Sequence, residues 1–148
     1  MSNLPVPPPF PASREKKDLE QLGLVAIFHF VMAGFYGLGI GFLWLHYTLM
    51  QSVFTNPQLM KGPNSLPPTF FAVFKWVYVV LGVICVILLA LNAISGRFIQ
   101  QRRNRIFSMI IAGIDCLQVP FGTALGVFTF VVLSRDSVQI LYVRSQMA

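Results

Sequence analysis

The chain has 148 residues, of which 55% are hydrophobic and only 11% charged, with a formal net charge of +6. That is enough for one domain, but it leaves too little polar surface to cover a core in water. The positive charge is gathered in short clusters beside apolar runs, a pattern of juxtamembrane contact with anionic lipid rather than of a nucleic-acid-binding face.

Residues 1–12 hold five of the ten prolines. Such a segment cannot form a helix and tends toward polyproline II; it is expected to be a disordered tail. It is not basic, and the apolar run after it is too long for a cleavable signal, so the first span reads as a retained anchor. Ser13 precedes the charged, helix-favouring run Arg14 to Glu20 and is the expected N-cap of that span.

Three apolar tracts follow, Leu22 to Met50, Phe70 to Ser95 and Ile106 to Leu133. Each exceeds the roughly 20 helical residues that cross a hydrocarbon layer of about 30 Å. Residues 51–69 carry four prolines and read as a loop that turns at Gly62-Pro63-Asn64, with Thr69 as the cap of the second span. Gly96 is placed to end that span ahead of the basic loop 96–105.

The third tract is long for one span and short for two. It reads as a single kinked helix, as a re-entrant hairpin, or as two short helices, about 106–118 and 121–134, that turn at Gln118-Val119-Pro120. Charge favours the two-helix reading, because Lys and Arg collect on the cytoplasmic side. With four spans, Arg14, Lys16, Lys17, Arg97, Arg102, Arg103, Arg105, Arg135 and Arg144 share one face, nine against Lys61 and Lys75; with three spans the split is seven against four. The expected fold is therefore an all-α integral membrane protein. It has a disordered tail over 1–12 and a single transmembrane domain over 13–148, a four-helix bundle with both termini cytoplasmic. An interfacial helix over about 135–144 ends it, with Val138, Leu141 and Tyr142 toward lipid headgroups.

The stretch Pro120-Phe121-Gly122-Thr123-Ala124-Leu125-Gly126-Val127-Phe128-Thr129, behind the basic loop Arg102-Arg103-Asn104-Arg105, resembles a group of small bacterial multi-span membrane proteins. Their C-terminal hairpin reads P-x-G-T-x-L-G-(I/V)-(F/Y)-T. The resemblance covers Arg97 to Tyr142 and implies a bacterial inner-membrane location. It brings no active site with it.

Small residues recur at a spacing of four, at Ala33, Gly37 and Gly41 and again at Gly122 and Gly126, with Gly34 and Gly39 nearby. In lipid, close backbone approach at such faces drives helix association. It serves packing within the chain, or an interface with a second copy or another membrane protein.

Polar residues inside spans are costly and point to function. Asp115 is the one acidic residue within a span and Lys75 the one base. In a four-span bundle they lie at similar depth with His46 and Gln118, so His46, Lys75, Asp115 and Gln118 are the expected outer-leaflet cluster. The plainer alternative is that Lys75 snorkels to the surface. His29 and Asn92 form the expected inner polar pair. His29, Asp115 and Cys116 are expected in opposite leaflets, hence unable to share a metal. Cys85 and Cys116 read as apolar packing residues. No nucleophile–base pair, phosphate-binding loop or dinucleotide fingerprint occurs, so neither catalysis nor a cofactor is expected. Two roles remain: a helix-packing scaffold or accessory subunit, or an oligomeric ion channel or small transporter that uses the outer cluster.

Overall fold

The structure, a computed structural model, describes residues 11–56 and 68–147. The turn at Gly62-Pro63-Asn64, Lys61 and nearly all of the proline-rich tail lie outside them. The described residues form five helices and no strand: α1 (Ala12–Phe54), α2 (Pro68–Gln100), α3 (Arg105–Asp115), α4 (Phe121–Leu133) and α5 (Asp136–Met147). Of these, α1 and α2 are long and apolar enough to cross a membrane. Their 43 and 33 residues rise about 65 and 50 Å at 1.5 Å per residue. The third tract is two helices, α3 and α4, joined through 116–120, with a cis peptide at Val119–Pro120.

Helix ends differ from the expected ones: α1 runs past Met50 to Phe54, into the expected loop, α3 stops at Asp115 rather than near 118, and three further ends differ in how they are made. First, α1 begins one residue before Ser13, and the Pro11 carbonyl accepts the N–H groups of Arg14 (2.8 Å) and Glu15 (3.4 Å). Second, α2 begins at Pro68 rather than after a Thr69 cap; a first-turn N–H has no intrahelical acceptor, so proline loses nothing there. Third, α2 runs through Gly96 to Gln100. Its stop is a Schellman motif, in which Arg103 N–H reaches Phe98 O (2.9 Å) and Arg102 N–H reaches Ile99 O (3.1 Å). Arg102 takes the left-handed position of that motif, at φ 51°. Gly96 instead serves packing. It is buried, and a Cβ there would lie 3.2 Å from the Ala26 carbonyl and 3.1 Å from the Phe30 ring.

The chain divides into two compact units, one of Met1–Phe30 with Ile94–Ala148, the other of Val31–Ala93. The first unit has a core of Leu22, Val25, Ala26, Ile99, Val132, Leu133, Val138, Leu141 and Tyr142. Thus Val138, Leu141 and Tyr142, expected against lipid headgroups, are buried in protein instead. Their spacing of three and four marks one helix face in either case, and only the tertiary fold decides what covers it.

Within this unit α3 buries Ser108, Ile111, Ala112 and Asp115, and α4 buries Gly122, Leu125, Gly126, Thr129, Val132 and Leu133. Both sets follow the i, i+3, i+4, i+7 stripe of an amphipathic helix. The stripes meet at the two glycines. A Cβ on Gly122 would collide with the Asp115 carbonyl, and one on Gly126 with Cys116 Sγ and the Ala112 carbonyl. The glycine spacing of α4 therefore closes the hairpin on itself.

The second unit is an antiparallel pair of helical segments. Gly37 faces Leu89, His46 and Tyr47 face Tyr78, and Phe54 faces Phe71 and Phe74. Most of its large apolar side chains are exposed, among them Leu38, Phe42, Trp44, Trp76 and Val83.

Candidate functional site

The four residues of the expected outer cluster are divided between the units: His46 and Lys75 in the second, Asp115 and Gln118 in the first. In the second unit His46 is half-buried, and its Nδ1 is hydrogen-bonded to the Tyr78 hydroxyl. The His46 ring also lies 5.9 Å from Phe42 and 5.8 Å from Tyr78, centroid to centroid. Lys75 is exposed and lines a recess of about 280 Å³ with Tyr47 and Tyr78. Exposure of the ammonium is the arrangement expected of a lysine whose stem lies along apolar surface while its head stays outside. Asn92 is also in this unit, fully buried, with its side-chain N–H 3.3 Å from the Leu88 carbonyl.

In the first unit Asp115 is fully buried at the end of α3. Its carbonyl accepts the Gln118 N–H at 2.9 Å, and the Gln118 carbonyl in turn accepts the Thr123 N–H at 3.2 Å. The Thr123 hydroxyl donates to the Cys116 carbonyl at 2.8 Å. These bonds satisfy the backbone of the turn, so Gln118 has a structural part at the tip of the hairpin.

His29 is fully buried on α1, and its Nδ1–H donates to the Val25 carbonyl at 2.9 Å. A carbonyl can only accept, so in the neutral ring Nε2 carries the lone pair. That Nε2 is buried without a hydrogen-bond partner. Asp115 lies close enough to act on His29 electrostatically, so the two are neighbours in this unit and not far apart as the sequence led one to expect. The physical reason is the length of α3. Its 11 residues rise only about 16 Å, about half of a 30 Å hydrocarbon layer, so Asp115 stops well short of the far side.

Sequence reasoning missed two members of this interior, Ser95 and Ser108, which are fully buried along with Thr129. The hydroxyls of all three lack hydrogen-bond partners. The signal for Ser108 was available, because it stands seven residues before Asp115 on one stripe. Ser95 gave none, since serine is a small, tolerated residue anywhere in a membrane helix. Among the described residues no three His, Cys, Asp or Glu side chains are grouped to hold a metal ion.

A groove on the same unit was also missed. It measures about 620 Å³ and is lined by α3 from its N-terminus, with Asn104, Arg105, Ile106 and Ile110, and by α5, with Tyr142 and Val143 among others. Arg102 and Arg105 both act electrostatically on Tyr142. The Ser145 hydroxyl bonds the Arg102 carbonyl at 3.0 Å and holds α5 to the loop before α3.

Among the described residues, the fold and these sites define an all-helical protein with two helices long and apolar enough to span a membrane. Comparison with protein-family models, with curated proteins and with solved structures finds no match to the chain.

Proposed function

We propose that this chain is a small, non-enzymatic membrane protein that acts as a helix-packing scaffold or accessory subunit in a homo- or hetero-oligomer. In this reading α3 and α4 are two further, shallow spans, and both termini face the cytoplasm of a bacterial cell. The nine-to-two distribution of Lys and Arg supports that threading.

The observation that carries the reading is the contrast among the glycines. Gly122 and Gly126 are consumed by contacts within the chain, and Gly37 touches Leu89. Gly34 and Gly41, seven residues apart on one face of α1, have nothing within 4 Å of the position a Cβ would take. Bare backbone in lipid is what a partner helix packs against. The mass and composition of the detergent-extracted particle test this. The wild type is expected as an oligomer, or with co-purified foreign subunits, and the double variant Gly34→Leu, Gly41→Leu as a single chain. A wild-type monomer would sink the proposal.

A second reading, an oligomeric ion channel or small transporter, is favoured by the buried polar interior around His29, Ser108, Asp115 and Thr129. Asp115→Asn separates the two. It leaves the particle mass unchanged in both readings and alters proton or ion flux in reconstituted vesicles only in the second.

A further inference from the structure

The groove between α3 and α5 joins three features that each favour an anion, and it ends in apolar walls. The first feature is the start of α3. The opening N–H groups of a helix have no intrahelical acceptors and carry the positive end of its dipole, and such ends are ready-made phosphate sites. Asn104, at the N-cap, makes no side-chain capping bond. The second is charge. Arg105 lines the groove, Arg102 stands close by, and none of the described lining residues is acidic. The third is Tyr142. It is only 4% exposed, it lines the groove, and its hydroxyl is buried without a hydrogen-bond partner. A buried hydroxyl left unpaired is expensive, and here it lies within electrostatic reach of both guanidinium groups.

Away from the arginines the groove is walled by Ile106, Ile110 and Val143, all of them exposed. An anionic lipid would cover them with an acyl chain while its headgroup met the positive end.

We propose that this groove binds one anionic phospholipid, its phosphate at the N-terminus of α3 between Arg105 and the Tyr142 hydroxyl, and an acyl chain along Ile106 and Ile110. The site rests on the membrane reading above, but not on self-association. The loop that carries Arg102 supports the assignment. Both Arg102 and Asn104 hold left-handed backbone, at φ 51° and 48°, a conformation that asparagine adopts readily and arginine rarely. The Ser145 bond to the Arg102 carbonyl helps to hold it in place.

The test uses the full chain, delipidated in detergent and equilibrated with vesicles of phosphatidylglycerol or of phosphatidylcholine, with bound lipid counted by native mass spectrometry. Phosphatidylglycerol is expected to be retained about 25-fold better, as two arginines near an anionic headgroup would give. Arg105→Gln should lower its retention about fivefold, the worth of one such charge. Tyr142→Phe should lower it about tenfold, the worth of one hydrogen bond to a charged group. Ile106→Ser, at a position 72% exposed, should weaken retention with little change in the melting temperature. Equal retention of the two lipids overturns the proposal, and so does wild-type retention in both Arg105→Gln and Tyr142→Phe. Displacement of the lipid by millimolar inorganic phosphate overturns it too, in favour of a small anion. Particle mass is read from the same spectra, so failure of lipid binding with an intact oligomer is distinguishable from failure of the association reading.

Discussion

The two units share the long helices α1 and α2, yet they use their side chains differently. In the unit of residues 31–93 the described side chains that are buried are few, Met32, Ala33, Tyr36 and Asn92, while Leu38, Trp44 and Trp76 are each about two-thirds exposed or more. In the unit of residues 1–30 and 94–148, Val25, Ile99, Val132, Leu133 and Val138 are wholly buried, together with His29, Ser108, Asp115 and Thr129. Two helical segments can cover only one stripe of each other, whereas five can enclose an interior. In water the first arrangement would be an aggregation hazard. In lipid the solvent itself is apolar, and nothing drives those side chains inward. Hydrophobicity thus marks where the chain meets lipid, and the small and polar residues mark where it packs.

The sharpest way to break this comparison is to exchange the glycine roles. Gly126→Leu or Gly122→Leu would drive a side chain into backbone carbonyls of α3 that cannot move aside. Overpacking at a rigid contact costs about 3 kcal/mol or more, so thermal unfolding in detergent, followed by circular dichroism, should show loss of the cooperative transition or a large fall in its midpoint. The same substitution at Gly34 or Gly41 meets open space and should leave the midpoint of a single chain unmoved. Equal damage at both pairs would mean that the α1 glycines are packed within the chain after all.

These glycines show what could be read from sequence and what could not. The i, i+4 spacing of Gly122 and Gly126 identified a close-packed face, and Pro120 located the break between two short helices. The long spans followed from apolar length alone. Sequence could not say which glycine pair is spent internally, because spacing is identical for an internal and an external neighbour. It misplaced the end of α2, because Gly96 satisfies the local rule for a helix stop, while the real stop uses Arg102 in a conformation that side chain disfavours. It also turned Val138, Leu141 and Tyr142 toward lipid, because nothing in a stripe identifies its partner. The anion-favouring groove was invisible for the same reason. Arg105 and Tyr142 are 37 positions apart, and only the fold brings them together.

A smaller effect separates the units by their polar contacts. Tyr78→Phe removes the hydroxyl that pairs with half-buried His46 and should cost about 1 kcal/mol, the net worth of an ordinary hydrogen bond. In the other unit, Asp18→Ala removes a carboxylate that is nearly buried and 3.6 Å from the Arg135 guanidinium. Arg135 keeps its bond to Gln21 and reaches solvent, so the loss should also be about 1 kcal/mol. The two differ in their response to salt. A neutral hydrogen bond is indifferent to ionic strength, while an ion pair that is half open to water is partly screened. Chemical unfolding of each variant at low and high salt should show the Asp18 effect shrinking and the Tyr78 effect constant.

The smallest expected effect lies where the first unit meets solvent. Arg144 and Glu15 pair at 3.5 Å, with their side chains about half and more than one-third exposed. Both are long and flexible, so ordering them offsets most of the Coulomb attraction, and such pairs contribute about 0.5 kcal/mol or less. Arg144→Gln should therefore shift stability by no more than that, and the shift should vanish at high salt, where the Debye length falls below the pair distance. Glu15→Gln should behave alike, because either change removes the same interaction. A loss several times larger would show that the pair fixes α5 against α1 rather than decorating its surface. In that case the burial of Tyr142 would depend on a contact made 129 residues apart in sequence.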